Sequence, residues 1–513
     1  MAARPAVNLD KKKNIFVSSA VLVSVIAIAT KLLGFPKQVL IAYSFGASAD
    51  TDAFYMAYGF ICSITFAFFS ALSVSFIPLY QAQLNRDNVK ASSFLRNILE
   101  VFIIISILVT LVYIASSESI TKFLLINSNE ISNIVLLRYI RMFATLIVLE
   151  CIITTLCAAL QVHKIFFFTK SIGLFTNIIA IFVLLVLMPE KCDVLVECIF
   201  IGYMIQLLLM VFVCNKTGII TNWHIKKPIL SEAKPLLFMI APLLLGNGVY
   251  ELNKTIDKII SSGFGEGGTS YLAYSQSFFD SICTVTLGSL VAVFFSYTTE
   301  KVSMKEWSRL TDDINNTVNG IYLIVFPIIL VIITFGDEII SMIYGRGKFD
   351  SVAVVNTAGL LKGYVIGFPF LTIREVFSKL HYSFEDSLSP MKNSIIAVLI
   401  NVIFSISLSK LIGLSGVSIA TSVSYFTCAF LMVRSLKKHM TYTLKSNIKE
   451  IFKYVVAMIA GIVAGFCLKS IGDSTGYRLL AALLSVLIFY TLLIIQRNKA
   501  IVTVLNRLSR DHK

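Results

Sequence analysis

Charge is scarce in this chain. Of its 513 residues only 14% are Asp, Glu, Lys or Arg, while 57% are hydrophobic, and the mean hydropathy is +0.83. That balance excludes a water-soluble globular domain and points to a polytopic membrane protein. Other shortages exclude classes of activity. No GxxxxGK[ST] occurs, so no nucleotide-driven pump is encoded; the glycines of Tyr344-Gly345-Arg346-Gly347-Lys348-Phe349-Asp350 resemble a phosphate loop only superficially. The nine cysteines are scattered, mostly inside apolar runs and without CxxC, which makes them packing residues. The five histidines lie in loops or near span ends without metal-ligand spacing. No resident cofactor is expected.

What the chain has in abundance is apolar runs of about twenty residues, the length that crosses a bilayer as a helix. They predict an all-α protein of about fourteen spans, starting near Ile15, Thr51, Phe94, Ile134, Ile165, Leu195, Pro235, Ser270, Val318, Val354, Ser389, Leu414, Ile451 and Tyr477. The formal net charge of +15 does not mark a nucleic-acid surface, because the basic residues sit in alternate loops. Arg86/Lys90, Lys216 to Lys234, Lys301 to Arg309, Arg434 to Lys449 and the tail from Arg497 all fall on the side of Lys11-Lys12-Lys13. Both termini are therefore expected in the cytoplasm. The start imitates a signal peptide with Ala27-Ile28-Ala29 as a cleavage site, but removing it would invert every later basic loop, so it reads as a retained span.

The most unusual stretch is Thr30 to Phe60. It holds Lys31 and Lys37 in an apolar run, a Gly34-Phe35-Pro36 break between them, and an acidic turn with Asp50 and Asp52. Cations at bilayer depth either mark a pathway or snorkel to the interface; the first reading predicts that both lysines line a cavity. Phe45-Gly46 and Tyr55-Met56-Ala57-Tyr58 return later as Phe264-Gly265 and Tyr271-Leu272-Ala273-Tyr274 on the same side, a parallel repeat. The expected organisation is a lobe over 1–214, a linker over 215–234, a second lobe over 235–440 and two added spans with a tail over 441–513, with a cavity between the lobes. The seventh span is also charged: Glu251, Lys254 and Lys258 share a helix face with Asp257 beside them. Arg138 and Arg141 face either the cavity or the outer headgroups. The outer loops are too short to carry the carboxylates of a glycan polymerase or ligase, so the chain reads as a transporter rather than an enzyme.

Three blocks, Lys31-Leu32-Leu33-Gly34-Phe35 through Thr51-Asp52-Ala53-Phe54, Tyr344 to Phe349, and Tyr382 to Pro390 with Gly413 to Thr421, resemble the MurJ/MviN lipid II flippases of the multidrug/oligosaccharidyl-lipid/polysaccharide exporter superfamily. The resemblance implies fourteen spans in two lobes around a cationic cavity, in the bacterial cytoplasmic membrane, moving an undecaprenyl-diphosphate-linked saccharide by alternating access as a monomer. It implies that Lys31 and Lys37 stand for essential arginines, that Asp52 matches a family aspartate, and that Asp257-Lys258 matches an Asp-Arg pair; Lys31, Lys37, Asp52, Lys254 and Lys258 form the expected substrate set. It also implies coupling to sodium or protons, with Asp257, Asn401 and Thr421 as a sodium-type oxygen cage in which Ser405 stands where a carboxylate is expected. Two family arginines are missing, at Ile64/Thr65 and at Ser277, so another lipid-linked glycan is the alternative substrate. A drug or cation exporter of the same superfamily is a third reading, disfavoured because the first span contributes only lysines.

Overall fold

In a bilayer every backbone N–H and C=O must find a partner within its own segment, and a sequence this apolar meets that demand by coiling into helices. The computed structural model describes residues 26, 29–125, 130–169, 171–220, 229–304, 310–440, 442 and 445–511, and among them no strand occurs. Lys11 to Lys13, the Ala27-Ile28 part of the cleavage-like motif, Lys170, Trp223, Lys226 and Lys227 lie outside the described residues.

Contacts divide the chain into two units, one running to Thr255 and including Gly265–Gly267, the other comprising Ile256–Phe264 and everything from Gly268. The first unit contains α1 (29–45), α2 (Ala49–Leu84), α3 (Asn88–Ala115), α4 (Ser117–Leu124), α5 (Glu130–Phe143), α6 (Leu146–Val162), α7 (Ile172–Leu187), α8 (Asp193–Lys216) and most of α9 (Leu230–Ser262). Its core is aliphatic and aromatic: Leu72 and Phe76 of α2, Ile98 and Phe102 of α3, Leu156 and Leu160 of α6, Met210 of α8 and Leu236 of α9. The second unit contains the end of α9, α10 (Gly268–Ser303), α11 (Leu310–Tyr344), α12 (Ser351–Ile366), α13 (Phe368–Ser383), α14 (Leu388–Ile412), α15 (Ser415–Ser435), α16 (Lys445–Lys469), α17 (Thr475–Ile495) and α18 (Lys499–Asp511).

Ten helices among the described residues are long and apolar enough to cross a membrane, or eleven if α12 and α13, bent by 47°, make one span. The sequence reads that pair as one straight span; the bend falls at Gly367, with Pro369 in the first turn of α13, where a missing N–H is tolerated. Conversely, Gly34-Phe35-Pro36 interrupts nothing, since α1 is helical through all three. Asn177 of α7 donates to the Thr30 carbonyl at 2.9 Å, and a Cβ on Gly34 would lie 3.5 Å from the same amide, so that glycine fits where α7 packs.

A second close approach organises the other unit. Gly359, Gly363 and Gly367 recur every fourth residue on α12 and meet Ser415, Ser418 and Ser422 of α15. A Cβ on Gly363 would sit 2.0 Å from Ser418 Oγ, and Ser422 Oγ donates to the Gly363 carbonyl at 2.6 Å. Small residues at such spacing let two helices pack backbone to backbone where lipid supplies no hydrophobic drive.

Candidate substrate and cation sites

The turn before α2 is fixed by local chemistry. Gly46 takes the left-handed conformation with φ 67°, and Ser48 and Thr51 form a reciprocal capping box. This presents Asp50 and Asp52 at a helix start, where acidic groups are favoured. Asp50 then gathers three segments: Tyr139 donates to its Oδ1 at 2.8 Å, the Cys192 amide donates to Oδ2 at 2.8 Å, and Arg138 bridges Asp50 and Asp193 at 3.4 and 3.0 Å. Arg141 pairs with Glu118 at 3.8 Å. Both arginines thus find carboxylates in the first unit. Asp52 accepts the Gly267 amide at 2.6 Å, a backbone-anchoring contact within that unit.

Lys31 and Lys37 lie on α1, the first exposed and the second half-buried. Among the described residues neither makes a hydrogen bond or ion pair, and the titratable neighbours of Lys37 are the thiols of Cys62 on α2 and Cys198 on α8. An ammonium at membrane depth costs about 2.5–3.5 kcal/mol on insertion scales, a cost that no carboxylate among the described residues offsets at Lys37. Lys254 differs, since it pairs with Glu251 at 3.1 Å, as the helix-face spacing predicts. The same turn of α9 is tied to α2 by Ser63, whose hydroxyl donates to the Glu251 carbonyl at 3.2 Å and accepts from Thr255 at 3.1 Å. Lys258 is half-buried and belongs to the second unit.

At the positions where the family resemblance implies arginine, Thr65 is buried and back-bonded to the Ile61 carbonyl at 2.9 Å, Ile64 is exposed, and Ser277 is half-buried on α10. None supplies charge.

The second unit brings together Asp257, Ser405, Asn401 and Thr421 from three helices. Ser405 Oγ donates to Asp257 Oδ1 at 3.0 Å and contacts Asn401 Oδ1 at 3.3 Å, and Asn401 Nδ2 donates to Thr421 Oγ1 at 3.2 Å. Asp257, Asn401 and Ser405 are buried. One carboxylate, one amide carbonyl and two hydroxyls make a set of hard oxygen donors whose single negative charge balances one monovalent cation. The donor set fits sodium, and with one carboxylate it offers less field than a set with a second anion would give.

Two groupings escaped the sequence reading. Glu150 on α6 faces Tyr203 of α8, and its buried Oε2 has no hydrogen-bond partner among the described residues. His381 and His439, which show no local ligand spacing, converge on Asp386 at 3.2 and 2.9 Å. The two histidines lie 58 positions apart in the chain, so only the packing of the end of α15 beside the α13–α14 turn could reveal the pair. Burial raises the Asp386 pKa, but hydrogen bonds from Ser389 and His439 and the nearby His381 outweigh it and hold the carboxyl below its ordinary value.

Comparison with known proteins supplies a frame for this geometry. Residues 41–487 match the family described as "Lipid II flippase MurJ". A probable lipid II flippase MurJ of Buchnera aphidicola subsp. Baizongia pistaciae is 26% identical over 468 residues, 88% of this chain and 90% of that relative. A solved lipid II flippase MurJ in an inward closed conformation superposes with TM-score 0.79 at 20% identity, covering 93% of this chain and 99% of the other. An inward-facing multidrug resistance MATE family transporter of the MOP superfamily superposes with TM-score 0.66 at 12% identity, covering 82% of this chain and all of the other. At such identities the structural likeness speaks for the fold alone.

Proposed function

The chain belongs to the lipid II flippase MurJ family, and from that premise we propose that it moves an undecaprenyl-diphosphate-linked saccharide, lipid II, from the inner to the outer leaflet of the bacterial cytoplasmic membrane. The observation that carries the reading beyond family membership is Lys37, a half-buried cation on α1 with no acidic partner among the described residues. A diphosphate is the ligand such a group suits, with Lys31 and Lys254 as further cations of the first unit. The chain's part is to bind, orient and release; no bond is made or broken, so it acts as a secondary transporter and not as an enzyme.

Fourteen spans in two lobes follow if α1, α7 and α9 cross the membrane in addition to the eleven spans counted with α12–α13 as one. Both termini then face the cytoplasm, with the basic loops, and alternating access of a monomer is the mode of transport. Asp257, Asn401, Thr421 and Ser405 would hold sodium, which supplies positive charge that lets the Asp257 carboxylate remain ionised in a buried setting; proton coupling through Asp257 is the alternative use of the same group. A second substrate, another lipid-linked glycan, is favoured by Thr65 and Ser277, which supply no cation where the family resemblance implies arginine.

Expression in cells depleted of their own flippase, with leaflet-specific labelling of lipid II, tests the proposal. Restored labelling in the outer leaflet is the expected result. Full expression and membrane insertion without any restored labelling, under overproduction as well, would overturn lipid II as the substrate.

A further inference from the structure

We propose that His381, Asp386 and His439 form a binding site for one divalent transition cation of the zinc type, placed at the basic-loop end of the second unit and distinct from the candidate sodium cage. One ligand atom from each residue, His381 Nδ1, Asp386 Oδ2 and His439 Nε2, lies within 4.8 Å of the others. Around a tetrahedral zinc ion with bonds of about 2.0–2.2 Å, neighbouring ligand atoms stand about 3.3 Å apart. The two separations to the carboxylate oxygen, 3.2 and 2.9 Å, need a change of only a few tenths of an ångström.

The orientation of each group favours coordination. His381 is fully buried, and its Nε2 lies 3.1 Å from the Met432 carbonyl and 3.0 Å from Ser435 Oγ; the tautomer with its proton on Nε2, directed at the carbonyl, leaves Nδ1 open toward Asp386. A metal-bound imidazole is oriented by just such a bond from its other nitrogen to a carbonyl. Asp386 is held through its remaining oxygen by the Ser389 amide at 2.9 Å, at the start of α14. His439 stacks on Phe384 with ring centroids 5.0 Å apart and planes 8° apart, which fixes the direction of Nε2.

His381 Nδ1 and His439 Nε2 both face the same carboxylate oxygen, so one positive centre between them can take an electron pair from each. A proton joins one imidazole to the oxygen; a divalent ion serves both imidazoles and the carboxylate at once. Two nitrogens and one oxygen suit zinc, nickel or cobalt better than magnesium or calcium, and three protein ligands leave a fourth position for water. Lys438, whose Nζ is 3.5 Å from Ser389 Oγ, adds a nearby positive charge that lowers affinity without removing a ligand. The bound ion would tie the turn between α13 and α14 to the segment following α15.

The test uses the full-length, tag-free protein in detergent, stripped with chelator and titrated with Co2+ as a spectroscopic probe, then with Zn2+ in competition. One equivalent of Co2+ should give visible d–d bands without the near-ultraviolet charge transfer that cysteine ligands produce, and Zn2+ should displace it. His439→Gln and Asp386→Asn should each weaken binding at least tenfold. Should Asp386→Asn fail to fold through loss of its contact with the Ser389 amide, His439→Gln decides alone, since that ring is partly exposed and caps no helix. Absence of saturable one-to-one binding, a sulfur charge-transfer band, or equal affinity in His439→Gln would overturn the site and leave a proton-shared triad in its place.

Discussion

Replacing Lys37 with methionine separates stability from transport in opposite directions. The side chain is one atom shorter, unbranched and uncharged, so packing against α2 and α8 is largely conserved. Lysine at the centre of a bilayer costs about 2.5–3.5 kcal/mol on insertion scales; Lys37 is half-buried and finds no acidic partner among the described residues. Relief of part of that cost should stabilise the protein by about 1–2 kcal/mol. The same change removes a charge-assisted hydrogen bond to the diphosphate, worth roughly 1.5–3 kcal/mol, and should weaken binding about ten- to a hundredfold. Thermal unfolding in detergent reads the first effect, and leaflet-specific labelling reads the second. Lys37→Arg should preserve transport, because a guanidinium keeps the charge and can grip phosphate with two N–H groups. A Lys37→Met protein that unfolds at lower temperature, or that transports as well as the parent, would refute the assignment of Lys37 as an uncompensated ligand for anions.

Other outcomes follow from the remaining sites. Cysteines placed at Lys31 and Lys37 should react with water-soluble thiol reagents in at least one transport state; protection of both in all states would remove them from the pathway. Ser405→Asp should raise sodium-dependent thermal stabilisation and Thr421→Val should lower it, measured as the difference between melting in sodium and in potassium chloride; identical shifts in both variants would disconnect these residues from sodium. Gly363→Ala should destabilise the protein by about 1–3 kcal/mol, read by thermal melting, because its Cβ would fall 2.0 Å from Ser418 Oγ; a neutral result would mean that the α12–α15 seam yields easily. Ser277→Arg should improve rescue of flippase-depleted cells at native expression, and no change would show that the missing cation is dispensable.

Much of this architecture is written in local patterns. Apolar runs specify helices because lipid leaves the backbone no other partner, and the Phe45-Gly46 turn announces itself through a glycine that takes positive φ. The Glu251–Lys254 pair follows from helix geometry alone. The resemblance led to Asp257, Asn401 and Thr421, and the structure places them in one hydrogen-bonded set with Ser405. Less was legible wherever a group's meaning depends on a distant partner. Arg138 is ambiguous in sequence because both of its carboxylates, Asp50 and Asp193, come from other helix starts. Glu150 sits inside an apolar run with nothing nearby to mark it, and the histidines are joined only by folding. The bend at Gly367 was hidden because a proline in an apolar run signals equally a helix start and a helix interior.

The knot around Asp50 also imposes an order of events during synthesis. Its members, Asp50, Arg138, Tyr139, Cys192 and Asp193, come from the starts of α2 and α8 and the interior of α5, so it cannot close until the chain has been made as far as residue 193. Before then Asp50 can bond only to Arg138, Tyr139 or water, and the helices that carry them must keep these ends at the aqueous boundary while they wait. Insertion of α8 delivers an amide and a second carboxylate together. The nascent protein thereby gains a late latch, one that fastens α2 and α5 only when α8 arrives.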